Sequence, residues 1–213
     1  MPERVSKGFP LFPLGIVALP TEGVPLHIFE ERYRTMIERC LQAEPGAPAR
    51  QFGIVWLSDE ELKPVGCACE IETVIERMGD GRLNILARGT RPFRLLERQD
   101  DLPYPAGVVE FLDEAEEEVD REAAQAAREL YGELVNQATD RTLQQDELQD
   151  MDAYSMAATV ELGADAKQEL LELRSENARM RLLALLLRAA IERLDLLERA
   201  QARARSNGKI RFA

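Results

Sequence analysis

The sequence is poor in the residues that usually carry catalysis or bind metals. It has one histidine, His27, together with three cysteines and one tryptophan, Trp56, in 213 residues. An odd number of cysteines, with Cys67 and Cys69 separated by a single residue, does not fit a disulfide framework. Together with Cys40 and His27, these two cysteines would make a set of three cysteines and one histidine that could bind zinc. Structural zinc sites, however, usually have about two to four residues between paired cysteines, not one. We therefore predict no metal site and no cofactor.

Long apolar runs are also absent. The longest near-continuous run, Leu182–Leu187, is six residues, whereas a helix needs roughly 20 to span a bilayer. The first residues carry charges with no apolar stretch behind them, so they do not resemble a signal peptide. These features predict a cytoplasmic location.

The charge is unevenly distributed. The net charge is −12, and residues 112–198 carry nine basic and 22 acidic side chains. Such a body repels phosphates and anionic lipid headgroups, which argues against nucleic acid or a membrane as the main partner. Five basic residues and no acidic ones fall in the last fifteen, as suits the C-terminal end of a helix, where cations complement the helix dipole.

Strand patterns fill the first half of the chain. Pro10, Pro13, Pro20 and Pro25 exclude a helix from residues 9–29 and confine pairing there to short strands or edges. A helix at about 30–42 interrupts the pattern, because apolar residues recur there at helical spacing. The further candidate strands are 51–57, 65–77, 82–88, 92–98 and 106–112, with turns at 78–82 and 89–92. From residue 51 to residue 112, these short strands follow one another with no helix between them, which favours a barrel.

Helical patterns fill the second half. Residues 113–122 hold seven acidic side chains and are predicted to begin a solvated helix that continues to about residue 136. A polar stretch near 137–150 follows, and then helices at about 151–161, 165–173 and 175–205. Strands followed by helices define the α+β class. The predicted division is a β-barrel subdomain at 9–112, a helical subdomain at 113–205 and a basic tail at 206–213.

Two neighbouring motifs point to a known family. Residues 9–20 (FPLFPLGIVALP), followed by residues 25–34 (PLHIFEERYR), resemble the opening of the Lon protease N-terminal, substrate-binding domain. The similarity continues in order through Phe52-Gly-Ile-Val55, Asp80-Gly-Arg82 and Arg91-Pro-Phe-Arg94, and extends to about residue 200. The resemblance implies a six-stranded PUA-like pseudobarrel followed by a helical bundle, and a role in holding unfolded or tagged polypeptides.

Neither catalytic unit of the Lon proteases is recognisable in the sequence. There is no Gly-x-x-x-x-Gly-Lys-Ser/Thr phosphate loop, and nothing resembles the family's Ser-Lys peptidase. We therefore expect a stand-alone, bacterial-type member that is not an enzyme. It would bind unfolded or extended polypeptides, alone or as an accessory to a protease in trans, and a homo-oligomer is left open.

The resemblance defines no contact residues, so the binding site is unknown. The candidates are His27, Phe29, Arg32 and Trp56, beside a groove at the barrel or at the barrel–bundle junction that would use apolar contacts and edge-strand pairing. A structural role is favoured for His27 and a core position for Trp56. Two alternatives remain: an RNA-binding PUA-like protein, and a small hydrolase that combines His27 with a cysteine or serine.

Overall fold

The computed structural model describes residues 4–44, 47–59 and 61–207. Among these, the chain forms two compact units: the first runs to Glu116 and includes Tyr154–Ser175, and the second holds Glu117–Ala153 and the residues from Glu176 on. This differs from the predicted division, in which all of 113–205 formed one helical subdomain. Residues 208–213 of the predicted basic tail lie outside the described residues, and 206–207 belong to the last helix.

Six strands form one sheet in the first unit. They are β1 (Val5–Leu14), β2 (Gly23–Ile28), β3 (Gln51–Ser58), β4 (Glu61–Arg77), β5 (Leu83–Gln99) and β6 (Ala106–Phe111). Their order is β2-β5-β4-β3-β1-β6, and β6 pairs back onto β5. The strands β1, β3, β4, β5 and β6 therefore close into a barrel. β2 flanks this barrel, and β5 is its single neighbour among the described strands. Only the β1–β3 pair is parallel in the described sheet. The predicted α+β class with a six-stranded pseudobarrel is confirmed.

The predicted turn at 89–92 does not exist, and the two strands predicted on either side of it are the single strand β5. The N–H of Gly89 donates to the carbonyl of Glu22 at 2.9 Å. A side chain at Gly89 would place its Cβ 2.0 Å from the carbonyl oxygen of Leu19. The glycine thus permits the β1–β2 connection to lie directly on β5, at the point where β5 changes its neighbour from β2 to β6.

Pro10 and Pro13 lie inside the ten-residue strand β1, not in a short or edge strand as predicted. They are tolerated because β1 changes partner: its residues up to Pro10 pair with β6, and Leu11–Leu14 pair with β3. Each half therefore needs hydrogen bonds on one side, and a residue without an N–H can face the other. Pro25, by contrast, does lie on a flanking strand, β2.

The barrel interior is an aromatic cluster. The ring of Phe9 meets those of Phe93 and Phe111 edge-on, at centroid distances of 5.5 Å in both cases, an arrangement that favours aromatic pairs. Further buried residues complete the cluster: Leu11, Val55, Ala68 and Val109. All three cysteines are buried as well and act as small hydrophobic residues.

The described helices are α1 (Glu31–Gln42), α2 (Arg121–Thr139), α3 (Gln145–Gln149), α4 (Ala153–Ala157), α5 (Ala164–Glu172) and α6 (Glu176–Asn207). The acidic stretch does not begin a helix at residue 113 as predicted, because α2 starts at Arg121. Acidic side chains four apart, such as Glu114 and Glu118, repel each other on a helix. Asp120 then accepts a hydrogen bond from the N–H of Ala123 at 3.0 Å and caps α2.

α5 belongs to the barrel unit because it is bonded to β4 and to the β1–β2 connection. The Gln168 amide donates to the carbonyl of Val65 at 3.1 Å, and Lys167 pairs with Glu22 at 2.5 Å. In the second unit, α2 and α6 contribute buried apolar residues, which include Ala127, Tyr131, Leu183 and Leu187. No helix among the described residues is long and apolar enough to cross a membrane.

Candidate functional site

The first unit contains a groove of about 690 Å³. Its walls come from the end of β1 and the segment after it (residues 11–16), and from β2 with the residues that lead into α1 (residues 25–30). The lining is completed by Arg32 and Tyr33 of the following helix, by Leu57 and Leu62 at the β3–β4 turn, by Arg98 and Asp100 at the end of β5, and by Pro105 and Ala106 at the start of β6. The groove is therefore built from segments that are distant in sequence and that the barrel brings together.

Both main walls are strand edges. The groove contacts consecutive residues of β1 and of β2, whereas one face of a strand would present only alternate residues. From Leu11 onward β1 pairs with β3, and β2 pairs with β5. Among the described residues, no strand pairs with the other side of β2 or of Phe12–Leu14. Backbone hydrogen-bonding groups therefore line the groove beside the apolar side chains.

Three large apolar side chains are exposed in the groove. Ile16, Phe29 and Leu57 have exposed fractions of 44%, 60% and 43%. The same lining includes the buried rings of Phe12 and Tyr33, which lie against each other with centroids 4.1 Å apart. Burial raises the pKa of the Tyr33 hydroxyl. Apolar surface gathered in a concave region is typical of a binding site rather than of a random surface.

The charges of the groove cancel. Arg32 pairs with Glu30 at 2.8 Å, and its guanidinium lies over the ring of Tyr33 at 4.6 Å from the centroid. Arg98 and Asp100 add one further charge of each sign. Neither a polyanion nor a polycation is therefore attracted into the groove by its own side chains.

The family follows from comparison with known proteins. A family model, the ATP-dependent protease La (LON) substrate-binding domain, matches residues 8–189 of the chain. The chain belongs to this family. The resemblance inferred from the opening motif is thus confirmed, and the family is that of a substrate-recognition domain rather than of a catalytic one.

Solved structures of Lon N-terminal domains share the fold. A Lon N-terminal domain protein from Xanthomonas campestris is 24% identical, with a TM-score of 0.61 over 82% of this chain and 95% of that chain. The N-terminal domain of Mycobacterium avium complex Lon protease is 21% identical, with a TM-score of 0.61 over 84% of this chain and 97% of that chain.

Three of the four residues singled out from the sequence line the groove of this Lon-type domain: His27, Phe29 and Arg32. Trp56 is not part of the lining. It is half-buried at an irregularity of β3, where the amine of Lys63 lies 5.9 Å from its ring centroid. Sequence reasoning did not find Ile16 and Leu57; the available signal was that each is a large apolar residue beside a turn.

His27 has a structural partner. Its Nδ1 lies 2.6 Å from the side-chain oxygen of Asn84 on β5, and its ring stacks on Phe29 at a centroid distance of 5.8 Å. Among the described residues, its hydrogen bond goes neither to a cysteine nor to a serine. The cysteines are buried, and burial raises the pKa of Cys40 to about 11, so they are not activated nucleophiles.

Metal binding also lacks a site in the part of the chain that the structure describes. No group of three or more histidine, cysteine, aspartate or glutamate side chains there could hold a metal ion. Cys67 and Cys69 are buried on β4. The geometry of the described residues therefore supports neither the hydrolase alternative nor a zinc site.

Proposed function

We propose that this Lon-type domain is a polypeptide-binding module that holds apolar, extended segments of other proteins in the groove of its first unit. The observation that carries the proposal is the convergence of Ile16, Phe29 and Leu57, all substantially exposed, on one concave surface. Membership of a substrate-binding domain family supports it. The buried rings of Phe12 and Tyr33, which lie against each other, add apolar surface to the same lining.

The groove suits unfolded clients because apolar contact does not require a particular sequence. Fully burying a large apolar side chain contributes about 1.5–3 kcal/mol, and these three are already about half buried. Each contact can therefore add about 1 kcal/mol, before the cost of ordering the client. We expect weak, reversible capture rather than tight binding.

Binding can be measured by fluorescence anisotropy with a labelled, reduced and carboxymethylated model protein. Phe29→Ala and Leu57→Ala are the groove variants. Ile75→Ala and Leu96→Ala are matched controls, because these side chains are 61% and 53% exposed in the same unit but do not line the groove. Losing a contact of about 1 kcal/mol weakens binding about fivefold. We expect the controls to stay within about twofold of the wild type, since they remove no contact.

Two outcomes would contradict the proposal. One is the absence of binding at about 500 µM protein, a concentration at which interactions of about −4.5 kcal/mol are detected. The other is an equal loss in the groove variants and the controls, which would mean that the groove is not the site.

We further propose that the module serves a protease in trans and acts in the cytoplasm, where its buried thiols stay reduced. The sequence has no phosphate-loop motif, so an ATP-driven step would come from another chain or segment. A pull-down from the native cytoplasm, with proteins and RNA identified separately, tests this. Recovery of RNA rather than of polypeptides would favour the alternative, which the cancelled groove charges and the net charge of −12 do not support.

A further inference from the structure

We propose that the client in the groove pairs as an added strand with the free edge of β2. The module would then select short, uncharged, extended segments whose apolar side chains alternate. This inference rests on the proposed function and specifies its mode of recognition. Main-chain pairing supplies affinity that is independent of sequence, and side-chain contacts supply the preference for alternation.

The free edge of β2 opens onto the groove. All residues from Pro25 to Glu30 line it in sequence, which requires contact along an edge, because side chains of successive residues point to opposite faces. The opposite edge of β2 is occupied by β5, from the pair Gly23–Arg88 to the pair Ile28–Leu83. Among the described strands, none pairs with the groove side of β2.

The register of the sheet identifies the backbone groups available to a client. The N–H of Gly89 donates to the carbonyl of Glu22, so this carbonyl points to β5, and the carbonyls of successive residues along a strand point alternately to its two edges. Even-numbered residues of β2 therefore bond to β5, and odd-numbered residues point their backbone groups to the free edge. Pro25 is odd-numbered and has no N–H. Along the groove, β2 thus offers the carbonyls of Pro25 and His27 but a single donor, the N–H of His27.

Length and charge define the segment that fits. Residues 25–28 extend over about 13 Å, the length of about four residues of an extended chain. The two positive and two negative side chains of the lining cancel, so a charged client segment gains nothing to offset its desolvation. A neutral segment with large apolar side chains at alternate positions fits both the edge and the exposed side chains of the groove. Such segments are buried in folded proteins and become exposed on unfolding.

A backbone-methylation experiment tests the pairing. The probe is a labelled nonapeptide of alternating leucine and threonine, together with two derivatives that are N-methylated at two central positions of one parity or of the other. Pairing with one edge uses the N–H groups of one parity only. We expect one derivative to bind about tenfold more weakly and the other to bind within about threefold of the parent peptide.

Two variants at one position assign the pairing to β2. His27→Pro removes the single edge donor, and proline is tolerated where the N–H is not bonded within a sheet. His27→Ala removes the ring and its bond to Asn84 but keeps the N–H. We expect H27P to bind the peptide about fivefold or more weakly than H27A, because the two variants differ at the edge N–H while both lack the ring. Circular dichroism establishes that both variants fold.

The outcomes distinguish failure of strand pairing from failure of the proposed polypeptide-binding function. If the unmethylated peptide and unfolded proteins do not bind at all, the proposed function fails. If they bind, but both derivatives lose affinity equally or neither loses any, edge pairing is overturned and apolar capture stands. Equal binding by folded H27P and H27A also overturns pairing with β2. If H27P does not fold, the methylation test decides whether the client pairs with a strand edge, and unchanged binding by Pro25→Val, which adds a donor to the edge of β2, overturns pairing with β2.

Discussion

Replacing Gly89 by alanine should destabilise the barrel and displace one wall of the groove. Gly89 lies on β5 beneath the β1–β2 connection: its N–H donates to the carbonyl of Glu22, and its carbonyl accepts from Thr21 at 2.8 Å. An added Cβ would lie 2.0 Å from the carbonyl oxygen of Leu19 and 3.1 Å from the sulfur of Cys67. Both hydrogen bonds fix the distance between the two segments, so the methyl group can be accommodated only by moving the backbone.

The expected size follows from that geometry. Overpacking in a well-packed site costs about 1–3 kcal/mol, and the upper half of this range applies because the clash is with backbone rather than with a flexible side chain. For a chain of this size, about 2–3 kcal/mol lowers the Tm by about 4–12 °C. Thermal unfolding followed by circular dichroism measures this, and the peptide assay should show weaker binding because Ile16 lies in the displaced connection.

Gly79→Ala is the matched control, because nothing lies within 4 Å of a Cβ at that position. Alanine there should leave the Tm unchanged or raise it slightly by restricting the unfolded chain. If G89A melts within about 1 °C of the wild type, or if G79A is destabilised as much as G89A, the close approach of the two segments is not what holds the connection in place.

Three further predictions concern the two units. Lys167→Met should destabilise the barrel unit by about 1–3 kcal/mol in chemical denaturation, a value between those for exposed and buried ion pairs. The reason is that Glu22 loses its partner in a pair whose side chains are only 15% and 16% exposed. Arg77→Met is the control: it breaks an exposed ion pair and should cost less than about 0.5 kcal/mol. Asp120→Ala should lower the Tm at neutral pH. Hydrogen bonds from the α2 N-terminus and an arginine lower the pKa of Asp120 from 3.8, so its contribution is present above that value, and the deficit should close as the pH falls through the folded pKa. A thiol reagent at mildly alkaline pH should label the folded protein slowly, because the three cysteines are buried and the pKa of Cys40 is raised to about 11. In denaturant, the reagent should label all three cysteines. Rapid labelling without denaturant would refute their burial.

The fold class and the order of strands and helices along the chain were predictable from the sequence, but the way the strands close into a barrel was not. Alternation of apolar residues identifies strands, and helical spacing identifies α1, because these are local patterns. Gly89 is needed for the close approach of Leu19, which is 70 residues away in the chain. When only sequence neighbours are considered, Gly89 and Pro92 indicate a turn. The partner change in β1 that accommodates Pro10 and Pro13 is likewise a property of the sheet.

The candidate site was predictable only where it coincides with one continuous motif. His27, Phe29 and Arg32 lie in the opening segment that carries the family resemblance, and the structure brings them to the groove. Leu57 reaches the groove from another part of the chain, through the β3–β4 turn. Trp56, next to it, lies outside the lining, at the irregularity of β3. Residue type alone could not separate these two neighbours.

An open strand edge beside exposed apolar side chains can bind a client, but it can also pair with other copies of the protein and cause aggregation. Pro25 limits this second kind of pairing. A continuous edge would let another strand pair along its whole length, as in edge-to-edge aggregation. With proline at position 25, the groove side of β2 keeps one donor within residues 25–28, so a client can be held by a short pairing but a sheet cannot extend. Restoring the donor with Pro25→Val, which also suits a strand, should therefore strengthen peptide binding about two- to fivefold. It should also raise light scattering of the concentrated protein. If Pro25→Val binds more weakly, proline at this position contributes contact rather than limiting pairing, and the role assigned to it here is wrong.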